Sequence, residues 1–144
     1  MTAVAMTPDD WDQWARRFET LYRPADRTWF SLFSPDVVYQ GPHMGPIADL
    51  GAVHDVTESM FAGFGWVITS IRGGPDWAVF EYEFTGSYIG PGSPTGDGVP
   101  VTAHGVCIID VGPDGLVTAM REYASPGEVE GQLAAWRPDS GPAG

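Results

Sequence analysis

From about residue 66 onward the apolar side chains stop recurring every three or four positions and begin to alternate. That change of period, from helix to strand, limits the fold more than any other feature. It is clearest over residues 77–89. The even positions there are Ala78, Phe80, Tyr82, Phe84, Gly86 and Tyr88, and the odd ones include Glu81, Glu83, Thr85 and Ser87. Such a strand buries its even face. Strands are also predicted over 66–72, 99–111 and 116–124. Gly73-Gly74-Pro75-Asp76 and Gly112-Pro113-Asp114-Gly115 read as tight turns between them. Residues 90–98, with four Gly and two Pro, read as a mobile loop.

The first half follows the helical period. Thr7, Pro8, Asp9 and Asp10 form a helix start, and Trp11, Trp14, Phe18, Leu21 and Tyr22 then share a face. A second, short helix is expected over 25–33, a strand over 37–40 and a loop over 41–46. A third helix is expected over 50–64, with Val53, Val56, Met60, Phe61 and Phe64 on its apolar face. Residues 127–136 fit a short closing helix. Helices first and an antiparallel meander last indicate an α+β domain. The expected architecture is a curved antiparallel sheet forming a cone, with three N-terminal-half helices across its concave face. With 144 residues the chain is one domain, expected over 1–136, with a flexible tail over 137–144.

Seven Lys+Arg against 19 Asp+Glu give a net charge of −12, which repels phosphate and argues against nucleic-acid or anionic-membrane partners. No apolar run approaches the roughly 20 residues of a membrane span. The first residues show no signal peptide, so a cytoplasmic location is expected. Cys107 is the only cysteine, so no internal disulfide forms.

Three segments carry a resemblance. Leu32-Phe33-Ser34-Pro35-Asp36-Val37-Val38-Tyr39 with Gly41-Pro42 is the first. Phe84-Thr85-Gly86-Ser87-Tyr88-Ile89-Gly90 with Pro94-Thr95-Gly96 is the second. Asp114-Gly115-Leu116-Val117 leading to Arg121-Glu122-Tyr123 and Gln132-Leu133 is the third. In this order they resemble the nuclear-transport-factor-2-like superfamily, and within it the SnoaL-like polyketide cyclases. The resemblance spans about residues 8–136. It implies a deep apolar pocket with one or two ionisable groups at its base, no cofactor, a small hydrophobic ligand and a homodimer. It also implies that Glu122 occupies the position of the cyclases' acid/base carboxylate, with Cys107 where they place a histidine. Ketosteroid isomerases carry a catalytic Asp where Gly41 stands. Limonene-type epoxide hydrolases carry an Arg–Asp pair where Tyr82 and Phe84 stand. Both departures argue against those two activities.

Read from the residues alone, Glu122 shares strand parity with Met120 and Ala124, while Arg121 and Tyr123 take the other face. If Met120 faces a pocket, so does Glu122, and desolvation moves a pocket carboxylate toward a pKa suited to proton transfer. The alternative is a surface charge beside Arg121. Tyr82, mid-strand, and Tyr39 are candidate hydrogen-bond donors to an enolate, and His43, in the 41–46 loop, is a candidate proton shuttle. Trp14, Phe18, Trp29, Tyr39, Met60, Phe64, Phe84, Tyr88, Cys107 and Met120 are candidate pocket walls. The aromatic excess suits a flat polycyclic or terpenoid ligand. Cys107 reads as a small buried hydrophobe. His104 belongs on the outer sheet face or a dimer contact, and His54 at a helix border. Three scattered histidines do not make a metal site.

The first functional reading is therefore a cofactor-independent cyclase or isomerase acting by proton abstraction beside a carbonyl. The second is a non-catalytic binding protein with the same pocket. The third is an epoxide hydrolase or dehydratase with His43 recruited.

Overall fold

The computed structural model describes residues 5–42 and 44–138. His43, and residues 139–144 of the expected tail, lie outside the described residues. The first helix, α1 (Pro8–Leu21), begins as its sequence requires. The Asp10 backbone N–H donates to the Thr7 hydroxyl at 3.2 Å, and the Thr7 N–H donates to the Asp10 carboxylate at 2.9 Å. Trp11, Trp14, Ala15 and Phe18 form its buried face.

The expected second helix shrinks to a 3₁₀ turn, Thr28–Leu32. Asp26 accepts hydrogen bonds from the Thr28 backbone and hydroxyl, which competes with helix over residues 25–27. Phe33 then joins strand β1 (Phe33–Gly41), longer at both ends than the expected 37–40. The expected 41–46 loop instead contains a short edge strand, β2 (Met44–Ile47), pairing Tyr39 with Ile47 and Gly41 with Met44. An edge strand tolerates Pro46, whose missing N–H is not required there.

Helix α2 (Leu50–Met60) ends four residues before the expected 64, because Phe61 begins strand β3 (Phe61–Gly73). Phe61 and Phe64 fit a helical stripe in sequence. However, Gly63 and Gly65 are poor helix formers, and pairing with strand β4 (Trp77–Tyr88) supplies hydrogen bonds that a longer helix would forgo. Gly63, at φ +60°, lies in a bulge between Ala62 and Gly65. The extra residue shifts the strand's parity, so Phe64, Trp66 and Ile68 are all buried.

Strands β5 (Val99–Val111) and β6 (Val117–Ala124) complete the sheet, and α3 (Pro126–Ala135) closes the described chain. Strand order is β2-β1-β6-β5-β4-β3, curved and unclosed. All neighbours are antiparallel except β1 and β6, which run parallel with Tyr39 opposite Met120. That pair departs from a wholly antiparallel sheet. It joins residues some 80 positions apart, and periodicity reports which face a residue takes, not which strand lies beside it.

Beyond Gly105, β5 has no β6 partner, and α3 covers the bare edge. The Gln132 side-chain amide imitates a neighbouring strand. Its oxygen accepts from the Thr102 N–H at 2.9 Å, and its nitrogen donates to the Thr102 carbonyl at 2.6 Å.

Candidate active site

Glu122 lies on the concave face of β6, beside Cys107 of β5 and in line with Met120. Its two carboxylate oxygens accept hydrogen bonds from two different strands. The Tyr39 hydroxyl of β1 donates to one and the Tyr82 hydroxyl of β4 to the other. Two phenols thus replace hydration that burial removes. Burial first, then the Glu122 charge, then the hydrogen bond itself push both phenols far above their ordinary pKa. They remain O–H donors and are not bases.

Both phenols reach Glu122 because two glycines make room. A Cβ on Gly41 would stand 2.3 Å from the Tyr39 hydroxyl, and one on Gly105 would stand 2.3 Å from the Tyr82 hydroxyl. Gly105 pairs directly with Tyr82 across β4 and β5. Gly41 in the same way opens the space for Tyr39.

Above this floor is a cavity of about 310 Å³. Of the residues expected around it, Phe18, Trp29, Tyr39, Met60, Tyr82, Phe84, Tyr88, Met120 and Glu122 line it. Trp14, Phe64 and Cys107 do not. Trp14 stacks on Phe18 at 5.4 Å and meets Phe80, inside the core beneath α1. Phe64 packs among Tyr22, His54 and Phe84. Cys107 is fully buried between strands, and burial and the Glu122 charge push its thiol well above the ordinary value, so it supplies no thiolate near neutral pH.

Several wall residues escaped the sequence reading. Trp66 stacks face to face on Tyr82 at 3.8 Å. Its alternation with Ile68 was a signal for this inward direction. Tyr22 lines the cavity from the recognised face of α1. Phe61 also lines it, together with Val53, Val56 and Thr57 of α2. Val129, Glu130 and Leu133 come from α3, and no local pattern in so short a helix says where it docks.

His54 is buried, not at a helix border. The Trp29 indole N–H donates to its Nδ1 at 3.2 Å, which requires the lone pair there and places the neutral ring's proton on Nε2. Nε2 stands 2.5 Å from a Glu58 oxygen, within ion-pair range but without hydrogen-bond alignment. His104 faces outward, with Nδ1 2.5 Å from Glu128 and Nε2 3.4 Å from Glu83. Among the described residues no three His, Cys, Asp or Glu side chains gather as metal ligands, and no helix is long and apolar enough to cross a membrane.

The SnoaL-like domain family matches residues 5–120, ending two positions before Glu122. No protein of curated function matches the sequence. Among solved structures, a candidate SnoaL-like polyketide cyclase from Jannaschia is similar at 18% identity and TM-score 0.68, over 92% of this chain and 98% of that one. A protein of ketosteroid-isomerase-like fold from Catenulispora acidiphila, in complex with trimethylamine, is similar at 21% identity and TM-score 0.66, over 92% and 100%. A phenazine-biosynthesis-related protein from Pseudomonas aeruginosa is similar at 17% identity and TM-score 0.67, over 90% and 84%. These likenesses carry the fold, and the family match covers most of the sequence. The chain belongs to the SnoaL-like domain family.

Proposed function

We propose that the protein is a cofactor-independent acid–base enzyme that removes a proton beside a carbonyl in a hydrophobic, polyketide-like or terpenoid-like molecule, leading to cyclisation or isomerisation. The observation that carries this reading is the Glu122 carboxylate on the floor of an aromatic cavity, with each oxygen held by a tyrosine hydroxyl. The two donors fix its orientation toward a ligand above. When Glu122 accepts a carbon-bound proton its charge disappears and its hold on the phenols weakens. Tyr82 or Tyr39 is then available to donate to the enolate oxygen that has just formed. The expected cytoplasmic location, and a homodimer across the outer sheet face where Val38 and Tyr123 are exposed, belong to the same proposal.

Proton abstraction is measurable without knowing the final product. In deuterated water, NMR should show enzyme-dependent exchange at the α-carbon of a bound hydrophobic ketone. Glu122→Gln keeps the shape and removes the base, so exchange should fall about 100- to 10,000-fold. A variant exchanging at the parent rate would remove Glu122 from the chemistry.

One observation favours the second reading, a binding protein without catalysis. Both phenols already donate to Glu122, so neither is preset for an enolate. Tight ketone binding with no exchange above the buffer rate would establish it over the first.

A further inference from the structure

We infer that His54 is a positioning residue for the ligand site: buried behind the cavity wall, it accepts the Trp29 indole N–H and thereby fixes the wall that selects a rigid ligand. This rests on the cavity of the reading above as the place where ligand binds, and not on proton abstraction there.

Trp29 lines the cavity from a weakly restrained piece of backbone, a five-residue 3₁₀ turn with no side-chain cap. Its ring meets Phe18, Tyr22, Phe30 and Phe33 edge to face, with centroids between 4.6 and 6.0 Å apart. Such contacts hold the plane of the ring. They do not decide which edge of the indole faces which way, because the terminal torsion of a tryptophan is soft and roughly two-fold. A half-turn keeps the plane but exchanges the pyrrole edge for the benzo edge, and so redraws the wall.

His54 breaks that symmetry. Its side chain is fully buried on α2, and Nδ1 accepts the indole N–H at 3.2 Å. A buried donor without an acceptor is costly, so one of the two placements is kept. Phe30 and Phe64 flank the imidazole, with centroids 6.0 Å away, and supply no acceptor in its stead. The imidazole is set in turn by its other nitrogen. Nε2 stands 2.5 Å from a Glu58 oxygen, which also accepts the Ala25 N–H at 3.3 Å. That carboxylate favours the proton on Nε2 and leaves the Nδ1 lone pair to Trp29.

Two methyl ketones share a polar group and differ in stiffness: 2-acetonaphthone is rigid and planar, 2-nonanone flexible. His54→Leu removes the acceptor and keeps an apolar body in its place. Calorimetry on the full chain should find 2-acetonaphthone bound about tenfold more weakly by this variant, and 2-nonanone changed by less than about twofold, because a chain adapts to a moved wall. His54→Asn, whose side-chain oxygen stands near the lost Nδ1, should restore most of the difference. The Trp29 indole N–H signal, identified in nitrogen-correlated NMR by its loss in Trp29→Phe, should shift and exchange faster in His54→Leu. A residue that only fills the core would weaken both ketones alike, and that result overturns the inference. So does an indole signal that stays in place, an Asn variant no better than the Leu one, or a parent protein that binds neither ketone. If His54→Leu does not fold, the imidazole nitrogen signals of the parent decide: a proton on Nε2 with Nδ1 bare upholds the inference, and the opposite tautomer overturns it. Ketone binding without α-carbon exchange would sink the catalytic proposal and leave this one standing.

Discussion

Strands β4, β5 and β6 contribute to two clusters of polar groups, one on each face of the sheet, the inner completed by Tyr39 of β1 and the outer by Glu128 of α3. Tyr82, Gly105 and Glu122 face the cavity, while their neighbours Glu83, His104 and Tyr123 face out. The outer cluster is an imidazole between two carboxylates, with His104 and Glu83 side chains 59% and 43% exposed. The inner one is a carboxylate between two phenols, at residues 4% and 7% exposed. Each is a charge held by neighbouring side chains, but water screens the outer one, whereas the inner carboxylate is half-buried and its two phenol donors are buried. Contact geometry alone therefore does not rank them. The dielectric around each does.

The largest effect that would break this contrast is loss of both inner donors. Each phenol makes a hydrogen bond to a charged group, about 1.5–3 kcal/mol apiece. Tyr39→Phe with Tyr82→Phe should therefore lower unfolding free energy by about 3 kcal/mol or more in urea titration. The two single changes should not sum to the double, because both act on Glu122. A double variant as stable as the parent would mean the floor is no more demanding than the outer face.

Next comes the space behind the donors. Gly105→Ala places a methyl against the Tyr82 hydroxyl and should cost about 1–3 kcal/mol. Small-to-large change at an open position such as Gly131, where a Cβ meets nothing, supplies the control. Equal effects at the two glycines would refute the role given to Gly105.

The third test is spectroscopic. Tyr22, Tyr39 and Tyr82 have folded-state pKa values raised by burial and the Glu122 charge. Folding therefore gains from their protonated forms below the unfolded value near 10, and that gain is lost as pH rises above it. Phenolate absorbance near 295 nm should show these three of the five tyrosines silent until alkaline unfolding releases them together. All five ionising in one step in the native protein would contradict the buried floor.

The smallest effect belongs to the outer face. His104→Ala should change stability least of these variants, because water screens both of its ion pairs. The hydrogen bond to Glu128, with smaller contributions from Glu83, raises the His104 pKa. Its contribution is complete below about 6.5 and fades as pH rises through the raised folded value. Hydrogen exchange in α3, which Glu128 ties to β5, should quicken slightly across that window, and less so in high salt. A change as large as that of the tyrosine pair would invert the comparison.

Much of this was legible in the chain. The capping box at Thr7 and Asp10 and the even-face burial of β4 follow from local chemistry or strand parity, and parity also puts Glu122 on the same face as Met120, but only the structure decides that this face looks into the cavity. The errors have a common origin. Phe61 and Phe64 fit a helix as well as a bulged strand, and only pairing with β4 decides between them. Trp14, Phe64 and Cys107 have the right chemistry for a wall but lie one layer away from it.

By itself, the sequence determined which residues are apolar, which faces they share and where turns must fall, because periodicity and turn chemistry act over a few neighbouring residues. Tertiary structure alone decided that β1 lies parallel to β6 and that α3 caps the bare edge of β5. It also decided that Tyr39 and Tyr82, 43 positions apart, meet on one carboxylate with a glycine behind each. Those contacts depend on which strand lies beside which, and that is fixed by burying the whole aromatic core at once.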